Sequence, residues 1–130
     1  MNIPHSEEEK EEDFLEYLYM GWKSGTEIRP HQVKMHLELT DAELKCLESG
    51  LMESGYLRKR AENSGYRLTE LGKVQGEDCL LRHHNLTQFL QMTCGLEEEE
   101  AEENACRMEH VISGNVLQGV QEFLKYGETY

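Results

Sequence analysis

The sequence predicts a mainly α-helical chain, and three observations support this prediction. Apolar residues recur at helical spacing in six separate stretches of the 130 residues. Capping boxes precede two of these stretches. One pair of short segments, joined by a Gly-containing turn, interrupts the helical pattern after the third stretch and has the form of a hairpin. The sequence therefore predicts six helices and one hairpin, enough for one or two small domains.

The first two helices are predicted from a capping signal and a proline. Ser6-Glu-Glu-Glu9 has the form of a capping box and is predicted to start helix one. The apolar stripe of this helix consists of Phe14, Leu15, Leu18, Tyr19 and Trp22. Residues 21–25, with a glycine at each end, are predicted to end it. A short second helix is expected over residues 30–37, because proline is favoured at a first helical position.

The third helix and the hairpin follow directly. Thr40-Asp-Ala-Glu43 is a second capping box. The helix that it opens carries Leu44, Leu47 and Leu51 at positions i, i+3 and i+7, and Ser54-Gly55 is predicted to stop it. Residues 56–60 and 66–69 then form the pattern of two short strands around a turn that contains glycine.

Three further helices complete the chain. Thr69 suits the cap of a long helix that runs to about Thr93 and is broken by Gly95. Acidic residues 97–103 are predicted to start a fifth helix, which Ser113-Gly114 breaks. The apolar face of the fifth helix is Ala101, Ala105, Met108 and Ile112, and that of the sixth is Val116, Leu117, Val120, Phe123 and Leu124.

The order of these elements predicts the domain organisation. Helix, short helix, helix and hairpin are typical of a winged helix-turn-helix, which is predicted to occupy residues 1–73 as a DNA-binding domain. The remaining helices, in residues 74–130, are predicted to form a second, helical unit. The apolar faces of the last helices exceed what one small unit needs, which is consistent with a helical dimer.

Composition excludes several classes of protein. The net charge of −13 lies mostly in two blocks: residues 6–16 hold seven acids and one lysine, and residues 97–103 hold six acids and no base. No apolar run approaches the roughly 18 residues of a membrane span, and the acidic N-terminus is not a secretory signal, so a cytoplasmic protein is expected. The four cysteines are scattered without a CxxC pair, which argues against a disulfide framework and a zinc ribbon.

A compact group of metal-ligand side chains lies in the fifth helical stretch. Cys106, Glu109 and His110 are at positions i, i+3 and i+4 and therefore share a helical face. Glu102 lies one turn earlier on the same side. Divalent first-row metals accept this mixture of thiolate, carboxylate and imidazole, whereas Mg²⁺ and Ca²⁺ would not select a cysteine.

Two other helices offer further ligands. Asp13 and Glu16 are at i, i+3 beside the apolar stripe of helix one, and His83 shares a face with Leu86 and Leu90. Each of these side chains also has an ordinary structural explanation when it is taken alone: a solvated acidic face, or a histidine within the core. Together with the triplet they could place ligand atoms from three helices around one or two metal ions.

These segments resemble a known family. EDFLEYLY (12–19), RHHNLTQFLQ (82–91) and ACRMEHVIS (105–113) are similar to segments of the metal-dependent regulators of the diphtheria toxin repressor and manganese transport regulator family. The resemblance runs from the first helix through the wing, GYRLTELGK (65–73), to the last helix. The length suits short members that lack the C-terminal SH3-like domain.

The resemblance implies that residues 74–130 form a helical metal-binding and dimerisation domain, and it implies a set of metal ligands. They are Asp13, Glu16, His83, Cys106, Glu109 and His110, with Glu102 where the iron-type branch has an ancillary histidine. Thr87 stands where iron-type members place a carboxylate. One or two divalent ions per chain are implied. Cysteine favours softer ions and carboxylates favour Mn²⁺ or Fe²⁺, so Fe²⁺ is the first expectation and Mn²⁺ a close second.

The resemblance also implies a double-stranded DNA operator and a homodimer, with no membrane partner. The third helix would enter the major groove, and the wing would contact phosphates. The implied DNA-binding residues are Thr40, Lys45, Ser49, Arg58, Lys59, Arg60 and Arg67. Residues 41–53 nevertheless hold four acids and one lysine, which opposes the attraction to phosphates.

Two functional hypotheses follow, and a third is disfavoured. The first is a metal-dependent DNA-binding regulator, acting as a repressor of metal-uptake genes. The alternative is a dimeric family member that binds metal, has lost DNA binding, and acts as a sensor through a protein partner. An enzyme is not expected, because the sequence has no recognisable nucleophile–base pair or phosphate-binding loop.

Overall fold

The computed structural model describes residues 7–127, which contain six helices and no extended strand. The mainly α-helical fold class is confirmed. The helices are α1 (Glu7–Ser24), α2 (Pro30–His36), α3 (Asp41–Glu53), α4 (Glu70–Cys94), α5 (Glu98–Met108) and α6 (Gly114–Gly127). The chain divides into two compact units between Cys79 and Leu80, within α4. The functional boundary between residues 73 and 74 stays a prediction.

One face of helix α1 packs into the core of the first unit. Phe14, Leu15, Leu18 and Tyr19 are buried as predicted, but Trp22 is 54% exposed. The indole of Trp22 instead lies at the surface beneath the ammonium group of Lys73, which is 4.5 Å from the ring centroid. Gly25 ends the helix with φ of +75°, a backbone conformation that glycine adopts without strain. The predicted cap Ser6 lies outside the described residues.

Helices α2 and α3 form the helix-turn-helix. Pro30 occupies the first position of α2, as predicted. The capping box of α3 is formed in both directions: the Glu43 N–H donates to the Thr40 hydroxyl (3.2 Å), and the Thr40 N–H donates to the Glu43 carboxylate (3.1 Å). The predicted stripe of Leu44, Leu47 and Leu51 is buried. The helix ends before Gly55, as the Ser54-Gly55 signal predicted.

The wing is shorter than the predicted pair of strands. Within the described residues, pairing is limited to one antiparallel bridge between Leu57 and Leu68, with the Arg58 N–H donating to the Arg67 carbonyl (2.9 Å). The predicted strands are longer than the single bridge that forms, because a backbone hydrogen bond that would extend the pairing goes to a residue outside the wing. The Tyr66 N–H donates to the carbonyl of Ile28, in the loop between α1 and α2, rather than to the facing segment of the wing.

Helix α4 starts and ends where the sequence indicated. Thr69 accepts a hydrogen bond from the Gly72 N–H (3.0 Å) and donates to the Gly55 carbonyl (2.6 Å), so its hydroxyl both caps α4 and ties it to the end of α3. Gly95, with φ of +65°, follows the last residue of the helix.

The second unit has its own core, and two predictions there need correction. The core consists of Leu86, Leu90, Ala101, Ala105, Val120 and Leu124. Val120 and Leu124 from the predicted apolar face of α6 are buried in this core, whereas Val116 and Phe123 from the same predicted face are about half-exposed. Helix α5 ends at Met108 instead of continuing to Ser113, because the N–H groups of Val111 and Ile112 both donate to the Met108 carbonyl and close a turn.

In the part of the chain between residues 7 and 127, no helix combines the length and the apolar character that a lipid bilayer requires.

Candidate metal centre

The C-terminal end of α5 brings three metal-ligand side chains together. Cys106 lies in the last turn of the helix, Glu109 is its C-cap residue, and His110 follows in the turn. One ligand atom from each of these residues lies within 4.8 Å of the others. The Glu109 N–H still donates to the carbonyl of Ala105 (3.0 Å), so Glu109 keeps the helical register of that buried alanine and points inward.

The cluster is shielded from solvent. The side chain of Glu109 is 0% exposed and that of His110 is 1% exposed. His110 Nε2 lies 3.4 Å from Glu109 Oε1. A buried carboxylate requires a compensating positive charge or hydrogen bonds, because its hydration is lost.

Helix α4 places a second imidazole beside this cluster. His83 Nδ1 lies 3.9 Å from Glu109 Oε1, and the His83 side chain is mostly buried. Thr87, one turn later, donates its hydroxyl to the His83 carbonyl (2.8 Å) and is itself buried. The Thr87 hydroxyl is therefore engaged with the backbone of α4. One thiol, one carboxylate and two imidazoles form a donor set that suits first-row divalent metals.

One supporting residue was not identified from the sequence. Arg82 Nη1 donates to the backbone carbonyl of Glu109 (3.0 Å) and so links α4 to the turn that follows α5. Residue spacing could not predict this hydrogen bond, because the arginine side chain contacts a backbone atom 27 residues away. The one available signal was that Arg82 lies within the RHHNLTQFLQ segment.

The remaining predicted ligands are Glu102 on α5 and two acids of α1, Asp13 and Glu16. Glu102 is exposed on α5 and is not part of the group formed by Cys106, Glu109 and His110. Asp13 and Glu16 are half-buried on α1, in the first unit. Their assignment as metal ligands stays a prediction.

The predicted DNA-binding residues lie in the first unit and are mostly exposed. Those with exposed positions are Thr40, Lys45, Ser49, Arg58, Lys59 and Arg67. Thr40 also uses its hydroxyl in the capping box of α3. Arg60 differs, because its guanidinium donates to the carbonyls of Ala61 (3.3 Å) and Ser64 (3.1 Å) and is held within the wing.

A link between α3 and the wing was also missed. The Tyr66 hydroxyl donates to the carboxylate of Glu48, which connects the wing to the middle of α3. Burial, followed by this hydrogen bond to a carboxylate, raises the pKa of Tyr66 far above its ordinary value. The raised pKa of Tyr66 favours the protonated hydroxyl, which is the form that donates this hydrogen bond.

The fold and the donor cluster together define a class, the metal-dependent transcriptional regulators that join a helix-turn-helix to a helical metal-binding domain. Residues 69–129 match the family model described as iron dependent repressor, metal binding and dimerisation domain. This match and the relatives below support the resemblance of the chain to the metal-dependent regulators of the diphtheria toxin repressor and manganese transport regulator family. The family consists of transcriptional regulators and not of enzymes, so the prediction of a non-enzymatic protein is confirmed.

Individual relatives support this assignment. An uncharacterized HTH-type transcriptional regulator of Methanocaldococcus jannaschii is 28% identical over 115 residues, which are 88% of this chain and 91% of the relative. The manganese regulator SloR has a similar structure, with a TM-score of 0.79 at 22% identity over 89% of this chain and 54% of that one. The structure of ScaR with bound Zn²⁺ is also similar, with a TM-score of 0.73 at 26% identity over 89% of this chain and 54% of that one. The chain thus spans about half the length of these two solved structures.

Proposed function

We propose that this protein is a cytoplasmic, metal-dependent repressor of metal-uptake genes that binds operator DNA as a homodimer when Fe²⁺ or Mn²⁺ is bound. The observation that carries the proposal is the group of half-buried Cys106 with the buried side chains of Glu109 and His110, and with His83 beside it. A divalent cation in this cluster would supply positive charge to a fully buried carboxylate and hold the cysteine as thiolate.

Carboxylates on α1 would complete the coordination. We assign this role to Asp13 and Glu16, which are half-buried on α1, in agreement with the family resemblance. One ion per chain accounts for the buried cluster. A second ion would depend on Glu102, whose exposed position on α5 supports only a weaker, ancillary site.

The choice of ion follows from the donor set. A single thiolate among imidazole and carboxylate ligands suits Fe²⁺, and Mn²⁺ is the close second because it accepts the oxygen donors well. Zn²⁺ would bind such a cluster more tightly than either ion in a test tube, so the physiological ion is set by metal availability as well as by affinity.

Helix α1 would couple metal binding to the position of the DNA-binding helix α3. Lys10 of α1 forms an ion pair with Glu43 (2.7 Å), in the first turn of α3. If α1 also provides metal ligands, ion binding would favour one position of α1 and therefore of α3. Such coupling requires that the ion bind one arrangement of the protein more tightly than the other.

On the DNA side, α3 and the wing would have different roles. Lys45 and Ser49 are exposed along α3 and would face base edges, while Arg58, Lys59 and Arg67 in the wing would contact phosphates. Because residues 41–53 carry four acids and one lysine, most of the salt-dependent affinity must come from the wing.

The same acidity favours one alternative function, in which the dimer senses metal but acts through a protein partner. The two functions are separated by a mobility-shift assay at low salt on a fragment of the chain's own promoter, with and without Fe²⁺ or Mn²⁺. Metal-dependent retardation of the fragment is expected. If no tested fragment is retarded at any metal concentration while the metal still raises the melting temperature, the DNA-binding role is wrong and the alternative is favoured.

A further inference from the structure

A cavity of about 400 Å³ lies in the first unit, between the end of α1, the wing and the start of α4. Three basic side chains line it, namely Arg58, Arg67 and Lys73, and no aspartate or glutamate does, although Lys73 forms an ion pair with Glu70 (3.1 Å) outside the lining. Two aromatic side chains, Trp22 and Tyr66, complete the walls. Three cations around one cavity are unexpected in a chain with a net charge of −13.

The two arginines are held close together by the wing itself. The Arg58 N–H donates to the Arg67 carbonyl, so the residues lie opposite each other beside the single bridge of the wing. Neither guanidinium has a carboxylate within ion-pair distance in the described part of the chain. Like charges that face each other across a strand pair are destabilising, and an anion between them would relieve this repulsion.

The rest of the cavity is apolar. Its inner wall includes Leu18, Ile28 and Leu68, all of which are buried. Because the Tyr66 hydroxyl already donates to Glu48, this residue offers its ring and not a free hydrogen-bond donor. The cavity therefore combines an apolar wall with a cationic rim, and its volume lies in the range of small-molecule sites.

We propose that this cavity binds a small amphipathic organic anion: a carboxylate or phosphate monoester on a compact apolar body. The anionic group would lie between Arg58, Arg67 and Lys73, and the apolar body would contact Trp22 and the buried aliphatic wall. Binding requires neither metal nor DNA. If the proposed DNA-binding function also holds, an occupied cavity removes two wing arginines from the phosphates and so weakens operator binding.

The experiment uses Trp22 as a built-in probe, because it is the one tryptophan of the chain. Phenyl phosphate is titrated into the full chain and tryptophan fluorescence is recorded, with inorganic phosphate and phenol as the parallel arms. A saturable change is expected for phenyl phosphate, with binding of inorganic phosphate and of phenol weaker by at least about tenfold. Equal binding of inorganic phosphate would overturn the amphipathic assignment, as would equal binding of phenol.

A matched pair of variants tests the location of the site. Arg67→Ala should weaken phenyl phosphate binding by at least about tenfold, because a charge-assisted hydrogen bond is lost. Lys59→Ala removes an exposed wing cation that does not line the cavity, and it should leave binding unchanged. Far-ultraviolet circular dichroism confirms that both variants are folded. Equal loss in both variants, or no saturable signal with the parent chain, would overturn the proposal.

Discussion

Glu109 is the residue on which the metal centre depends. Its carboxylate is fully buried and lies within 4 Å of nitrogen atoms from two imidazoles, His83 and His110. Helix α5 ends at Met108, and Glu109 is the C-cap residue that follows. Glu109 therefore lies on the same face of the helix as the buried residues Ala101 and Ala105. A carboxylate in such a position costs free energy in the absence of a compensating cation, and a divalent ion would offset that cost.

The first prediction replaces this carboxylate. Glu109→Gln keeps the shape of the side chain but removes its charge, so we expect the thermal stabilisation by Mn²⁺ or Fe²⁺ to disappear. An ion present at 100 times its dissociation constant stabilises the parent protein by about 2.7 kcal/mol. Differential scanning fluorimetry with and without the ion measures the effect. Glu103→Gln, on the exposed face of α5, is the control and should respond like the parent.

His110→Ala tests the same site with a different ligand. It should also lose the metal-induced rise in melting temperature. If both Glu109→Gln and His110→Ala are stabilised by the ion as strongly as the parent protein, the assignment of the metal site is wrong.

A second prediction concerns Glu43 and pH. The hydrogen bond from Lys10, followed by those from Thr40, lowers the pKa of Glu43 from 4.5 to about 2. A lowered folded-state pKa stabilises the protein above the unfolded value, and this contribution is lost as the pH falls from about 4.5 towards 2. Glu43→Gln should therefore lower the melting temperature near pH 7, and the difference from the parent should vanish near pH 2.

Thermal melts followed by circular dichroism between pH 2 and 7 check this prediction. Glu53→Gln, on the exposed face of the same helix, serves as the control and should show no such pH-dependent difference. A difference between Glu43→Gln and the parent that stays constant down to pH 2 would rule out the ion pair with Lys10 as its cause.

At the scale of elements, the contact between α1 and the first half of α4 depends on Gly76. A Cβ atom at this position would lie 2.7 Å from the Cβ of Tyr19 and 2.9 Å from the Leu15 carbonyl oxygen. Neither neighbour can rotate away, because one is the first side-chain atom and the other is backbone. The two helices could accept a larger residue only by moving apart.

Gly76→Ala should therefore destabilise the protein by about 1–3 kcal/mol, the usual cost of overpacking. Gly114→Ala, where an added Cβ would meet nothing within 4 Å, is the matched control and should change stability by less than about 0.5 kcal/mol. Urea denaturation measures both variants. An equal effect of the two substitutions would show that the close approach of α1 and α4 does not limit stability.

Helix starts and stops were predictable because their signals are local. Thr40 and Thr69 form the expected caps, and Gly55 and Gly95 follow the expected helix ends with positive φ values. The spacing of Cys106, Glu109 and His110 correctly indicated that these side chains lie together. The spacing could not show that α5 ends at Met108, because the turn that follows the helix brings the same residues to the same side.

The features that were not predicted from the sequence depend on contacts between residues that are far apart in the chain. The wing is short because the Tyr66 N–H donates to the Ile28 carbonyl, and Trp22 lies at the surface with the Lys73 ammonium group over its ring. The approach of His83 to Glu109 is likewise a tertiary contact: helical spacing placed His83 on the packed face of α4 as a possible ligand but could not identify Glu109 as its neighbour. Sequence patterns within a helix do not contain this information.

At the scale of the whole molecule, α6 has two apolar faces. Val120 and Leu124 pack into the core of the second unit, whereas Val116, Phe123 and Tyr126 form a second, half-exposed stripe. Phe123 contacts Phe89 edge to face, with the ring centroids 5.3 Å apart, and so continues the stripe onto α4. An apolar stripe of this kind fits the proposed homodimer, because the matching family model describes a dimerisation domain.

Val116→Asp should therefore weaken self-association by at least about tenfold, because a charge would enter the proposed interface. Gln118→Asp adds the same charge on the other side of α6 and should leave the oligomeric state unchanged. Sedimentation velocity over a range of protein concentrations distinguishes monomer from dimer. Dimers of equal stability in both variants would exclude this stripe as the interface.

The central claim is that a transition-metal ion binds among Cys106, Glu109 and His110. Anomalous diffraction from crystals grown with Mn²⁺ or anaerobic Fe²⁺, measured on both sides of the absorption edge of that metal, tests it most directly. The account predicts an anomalous peak within bonding distance of Cys106 Sγ, a carboxylate oxygen of Glu109 and a ring nitrogen of His110. A metal-saturated crystal whose peaks all lie away from these three side chains would contradict it.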